Sequence, residues 1–165
     1  MLAQSGRQTI SVQRRHDGAA NTGKEPYSEF YAAQIAQTMG IKHVDYNLRQ
    51  WKGMLSSVCE LFTDINTAYV PIGRFVGKDS LLAIAQLLKD YGEEFYNEFA
   101  GMLVFDALIF NTDRHTGNFG LLVDSHTNKV KAFAPVFDNG LSLFNIAMED
   151  DLADIENYSK TRKPA

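Results

Sequence analysis

The chain has 165 residues, 45% of them hydrophobic, a formal net charge of −4 and a single cysteine. That length and apolar content suffice for one domain with a substantial core. One cysteine excludes an internal disulfide, and the acidic balance excludes the broad positive footprint of a nucleic-acid binder. No charged-then-apolar leader or apolar run of membrane-spanning length is visible, and the four scattered histidines form no zinc-type cluster with Cys59. A cytoplasmic chain without direct membrane or nucleic-acid contact is the expectation.

Residues 5–26 are polar and punctuated by Gly6, Gly18, Gly23 and Pro26, which reads as a loop. Ser28 is placed to cap a helix in which Phe30, Ile35 and Met39 accompany the small Ala32, Ala33 and Ala36, and Gly40 ends it. Val44, Tyr46 and Leu48 alternate with polar residues, and residues 57–62 form a second run, giving two strands with a turn near Lys52-Gly53. Cys59, inside that run, reads as a small buried hydrophobe. Residues 78–91 predict a helix capped by Asp79 or Ser80, with Leu81, Leu82, Ala85 and Leu88 on one face, and Gly92 separates it from the next. Residues 94–110 carry Phe95, Phe99, Met102, Leu103, Phe105 and Ile109 at helical spacing, a broad buried face broken by Asn111-Thr112-Asp113. His115, beside Arg114, has the local character of a solvated or hydrogen-bonded side chain. Residues 119–123 and 129–133 read as strands around the polar turn 124–128. Beyond the apolar stretch 141–148, the acidic residues 149–151, 154 and 156 predict a solvated surface, and 157–165 is polar with no helical end signal.

The informative block is NTDRHTGNFGLLVDSHTNKVKAFAPVFDNG, residues 111–140. Asp113 precedes Asn118 by five positions, a hairpin follows, and Asp138 stands in Phe137-Asp138-Asn139-Gly140. Taken singly, an Asp after a helix is a turn residue and Asp-Asn-Gly is a good turn. Together they reproduce the order of a phosphotransferase base and its two metal ligands. One carboxylate accepts the proton of the attacking hydroxyl, a role for Asp113. Magnesium wants hard oxygen ligands, which Asn118 and Asp138 supply.

The run Asp113-Arg114-His115-Thr116-Gly117-Asn118 resembles the D-x-H-x-x-N catalytic loop of HipA-like serine/threonine kinases, a pattern that phosphoinositide lipid kinases share. The resemblance implies an α+β, protein-kinase-like fold over a single domain, 1–165. A reduced small lobe (1–62) would precede a mostly helical large lobe (66–165) carrying the catalytic loop and β-hairpin. It implies ATP and Mg2+ as cofactors, Asp113 as catalytic base, His115 as a loop organiser, and Asn118 and Asp138 as magnesium ligands. Glu29, after Tyr27-Ser28, matches the helix glutamate that pairs with the ATP-binding lysine. Leu61 and Phe62 fall where the chain approaches the adenine-contacting hinge. The implied partners are a protein bearing a Ser/Thr hydroxyl and an antitoxin-type protein. Ala3 stands where the family expects a strand lysine, Lys24 lies in a loop, and no Gly-rich strand pair precedes Met1, so a truncated member is expected. Two alternatives stay open: a pseudokinase-type nucleotide- or partner-binding module without turnover, and a phosphoinositide-type lipid kinase.

Overall fold

A computed structural model of the chain describes residues 10–13, 23–77 and 80–162, the first stretch for its main chain alone. Ala3 and Asp79, both weighed from the sequence, lie outside the described residues.

The first helix, α1 (Glu25–Met39), begins at Lys24 with a proline in its first turn, where a missing N–H costs nothing because that donor has no intrahelical partner. Ser28 is therefore not the cap. It sits inside the helix, buried, and its hydroxyl donates to the Ser142 carbonyl at 3.1 Å. Gly40 ends α1 with φ 69°, the left-handed conformation glycine adopts cheaply. Ala32, Ala33 and Ala36 are all but inaccessible to solvent, and their small size lets neighbouring elements approach closely.

Strands β2 (Asn47–Trp51) and β3 (Met54–Glu60) form a hairpin in which Trp51 faces Met54. Its two turn residues, Lys52 and Gly53, have φ 51° and 78°, the sign that a type I′ hairpin turn requires at both positions. A segment expected to be loop contributes a third strand, β1 (Ile10–Gln13), on the other edge of β3. Ile10 and Val12 alternate with Ser11 and Gln13, but four residues in a polar setting are too short a run to stand out; pairing with β3 makes the strand.

A second sheet has the order β4-β5-β6, with β4 (Thr67–Pro71), β5 (Gly120–Asp124) and β6 (Val130–Phe133) all antiparallel. The β5–β6 turn is held by Asp124, whose carboxylate accepts the N–H groups of His126 and Thr127 and the Thr127 hydroxyl. These bonds hold that carboxyl down at about 2.

Helix α2 (Leu81–Tyr91) starts at Ser80, whose hydroxyl accepts the Ala83 N–H at 3.4 Å, and Gly92 at φ 142° turns the chain into α3 (Glu93–Leu108). The buried face of α2 is Ile84 and Leu88; Leu81 and Leu82, expected inside, are 58% and 83% exposed. Leu82 points away from the stripe of 84 and 88, whereas Leu81 shares its face and is exposed as the first residue of the helix. Phe99, Met102, Phe105 and Ile109 bury completely or nearly so, and Phe99 stacks on Phe119 at 5.7 Å. Burial of one such side chain contributes roughly 1.5–3 kcal/mol. At the far end the acidic run is not merely a solvated surface, because it caps two short helices, α4 (Glu149–Ala153) and α5 (Ile155–Thr161). Asp151 accepts the Met148 N–H and Asp154 accepts the Asn157 N–H, and Tyr158 buries beside Phe110 and Phe144.

Candidate active site

The segment after α3 is organised by a buried arginine. Arg114 is 9% exposed and forms an ion pair with Asp106, both partners deeply buried. Its Nε donates to Asp106 Oδ2 and its Nη2 to Asp106 Oδ1, each at 2.9 Å. Nη2 also donates to Asn139 Oδ1 at 2.7 Å, while Nη1 donates to the carbonyls of Asn118 at 3.2 Å and Phe137 at 2.6 Å. A guanidinium has five N–H donors, and these five bonds use them all. Asn111 completes the set, with Nδ2 on Asp106 Oδ1 and Oδ1 taking the Asp113 N–H.

One cation thus draws together the stretches that carry Asp113, Asn118 and Asp138. Asn118, 3% exposed, donates through Nδ2 to the Asp113 carbonyl at 2.8 Å and accepts the His115 N–H on Oδ1 at 3.0 Å. Its Oδ1 keeps a second lone pair. Asp113 itself is exposed beside these bonds. His115 is also exposed; its Nδ1 accepts the Gly117 N–H at 3.0 Å, folding the ring over a glycine whose added Cβ would lie 2.8 Å from the ring.

Asp138 has φ 57°, a left-handed conformation that costs an ordinary residue about 1–2 kcal/mol. Both flanking peptides are clamped. Arg114 holds the Phe137 carbonyl, and Glu29 Oε2 accepts the Asn139 N–H at 3.0 Å. Glu29 is 1% exposed on α1. Burial pushes its carboxyl up to about 8 against the pull of the Asn139 N–H, the negative charge of Asp138 adding to the rise. No ion pair to Glu29 occurs among the described residues.

The remaining expected positions divide. Phe62 packs on Phe137 at 5.3 Å and on Tyr69 at 5.9 Å, next to the Asp138 turn, whereas Leu61 is 45% exposed on the connection between the two sheets. Tyr69 on β4 donates its hydroxyl to the Gly117 carbonyl at 3.0 Å, and Ile72 and Gly73 donate N–H bonds to Phe119 and Thr116. The loop is therefore pinned by β4 from outside and by Arg114 from within. Sequence reasoning passed over Arg114, Asp106 and Tyr69. The available signal was Asp106, a charge standing between Met102 and Ile109 at the spacing of the buried face of α3.

The oxygen donors suit a hard cation: a carboxylate at Asp138 and an amide oxygen at Asn118. No cluster of three or more His, Cys, Asp or Glu occurs among the described residues, so a divalent ion there would complete its shell with phosphate and water, as magnesium does.

Against solved structures, the chain aligns with the crystal structure of a Helicobacter pylori proinflammatory kinase, CtkA, over 90% of its own length, with a TM-score of 0.73 and 23% identity. The fold is kinase-like. A curated relative, the serine/threonine-protein kinase CtkA of Helicobacter pylori strain J99, is 27% identical over 134 residues, covering 72% of this chain. The chain spans 40% of the length of that relative and 58% of the solved chain. No family model matches it.

Proposed function

We propose that the chain carries the catalytic half of an ATP- and magnesium-dependent phosphotransferase acting on a Ser/Thr hydroxyl of a protein, of the HipA-like type. The supporting observation is the Arg114 hub, which gathers Asn118 and the Asp138 turn while Asp113 stays exposed. In this reading Asp113 accepts the hydroxyl proton. Asn118 Oδ1 and the Asp138 carboxylate would hold Mg2+, which neutralises charge on the ATP phosphates and leaves the protein mainly to position them. Glu29 anchors the Asp138 turn through Asn139, and Phe62 backs it from the side of the sheet connection. The protein-kinase name of the 27% identical relative favours a protein acceptor over a lipid headgroup.

Labelled phosphate transfer from ATP to a mixture of protein acceptors, with phosphoinositide vesicles in a parallel arm, tests the reading. Transfer to protein, lost in Asp113→Asn, is the expected result. Transfer confined to vesicles, or undiminished in Asp113→Asn, overturns it. One observation favours a second reading, a nucleotide-binding module without turnover: the glutamate expected to meet a lysine is instead bonded to the Asn139 main chain. Magnesium-dependent ATP binding with no transfer in the unsubstituted chain would select it.

A further inference from the structure

Away from the residues gathered by Arg114, a cavity of about 580 Å³ opens between the turn 40–42 after α1, the 94–101 stretch of α3 and residues 133–136 after β6. Its volume lies within the roughly 300–1,000 Å³ typical of small-molecule sites. The floor is apolar, with Phe133 and Val136 buried and Ile41 packed against the same core. The rim is charged. Glu94 and Glu98 lie one turn apart on the same face of α3. Lys42 stands 3.6 Å from Glu98 and donates to the Phe133 carbonyl at 3.0 Å. Two carboxylates against one ammonium leave the rim with net negative charge. Burial raises the Glu98 carboxyl above its ordinary value; Lys42 opposes this and Glu94 adds to it.

Gly101 lines the same space. It lies inside α3, where glycine costs about 1 kcal/mol relative to alanine. A Cβ built there would meet nothing within 4 Å. No packing contact requires the glycine, yet a larger residue would project into the cavity it lines. The apolar floor beside the carboxylates suits an organic cation better than a bare metal ion.

We propose that this cavity binds a small organic monocation, an amine on a compact apolar body, with the body on the Phe133–Val136 floor and the ammonium between Glu94 and Glu98. Anions are repelled by the same pair, and a neutral isostere loses the charge-assisted contacts.

Phenethylamine, phenethyl alcohol and hydrocinnamate are suitable probes, titrated into the chain while backbone amide shifts are followed by NMR. Phenethylamine is expected to shift the Gly101 and Ala134 amides saturably. Phenethyl alcohol should bind about tenfold more weakly or worse, and hydrocinnamate should not bind. Gly101→Leu, which favours helix and fills the space, should abolish the shifts, Gly101→Ala should retain them, and Glu98→Gln should weaken binding. Equal binding of the alcohol, undiminished shifts in Gly101→Leu with a native-like spectrum, or no shift up to the solubility limit of the amine overturns the proposal.

Discussion

Arg114 and Asp106 are buried as a pair with every guanidinium donor engaged, so the cost of removing either partner depends on what the other is left facing. Arg114→Met leaves the Asp106 carboxylate buried without its cation and is expected to destabilise by about 3–5 kcal/mol in chemical denaturation. Arg114→Lys restores charge without the planar fork and should recover only part of the loss. Replacing both, Asp106→Leu with Arg114→Met, should be milder than Arg114→Met alone, because no unpaired charge remains inside. Glu29 makes a second prediction at this scale. Its carboxyl titrates near 8 when folded against an ordinary 4.5. Between those values the folded chain holds a proton that the unfolded chain has released, so this contribution is complete below 4.5 and lost as pH rises through 8. The slope reaches about −1.4 kcal/mol per pH unit at most. Glu29→Gln keeps an acceptor for the Asn139 N–H and removes the proton, so unfolding followed across this window should show the negative slope in the parent and lose it in the variant.

At the level of elements, the join between β4 and the segment that follows loop 113–118 leaves no room for a side chain at Gly120. An added Cβ would lie 2.2 Å from the Val70 carbonyl and 2.9 Å from the Ile72 nitrogen, both main-chain atoms that cannot swing aside. Gly120→Ala is expected to cost about 3 kcal/mol or more, and hydrogen exchange at the Ile72 amide, bonded to Phe119, should accelerate most. This join was also the least legible part of the sequence. Thr67–Pro71 shows no alternation, follows a polar turn and ends in proline, so its strand character comes from pairing with β5 rather than from its own residues. Helices α1 and α3, by contrast, announce themselves through Ala32, Ala33 and Ala36, through Phe99, Met102 and Phe105, and through their glycine boundaries. The β2–β3 and β5–β6 hairpins were readable because their turn residues carry local chemistry, positive φ at Lys52-Gly53 and the Asp124 side-chain bonds. Arg114 escaped because, apart from the Asn118 carbonyl, its partners lie 8 residues back on Asp106 and 23 and 25 residues ahead on Phe137 and Asn139. Nothing next to it in the chain marks it as buried.

Across the whole molecule, the site draws on α1 for Glu29, on the loop after α3 for Asp113 and Asn118, and on the turn beyond β6 for Asp138, so a ligand there binds only the assembled fold. Any such ligand stabilises by mass action, about 2.7 kcal/mol at a hundredfold excess over its dissociation constant. Under the phosphotransferase reading, Mg2+ with ATP should raise the unfolding temperature of the parent and of Asp113→Asn alike, because Asp113 handles a proton and holds no metal. Asp138→Asn should lose most of that increment. Asparagine tolerates the left-handed backbone that Asp138 adopts, so its loss of binding would not be explained by a collapsed turn. Transfer to acceptor should vanish in both variants. A binding increment that survives Asp138→Asn, or that Mg2+ leaves unchanged, would place the nucleotide somewhere other than beside this turn. Thermal unfolding with ATP, Mg2+ and both together distinguishes these outcomes, because it reads binding without requiring turnover.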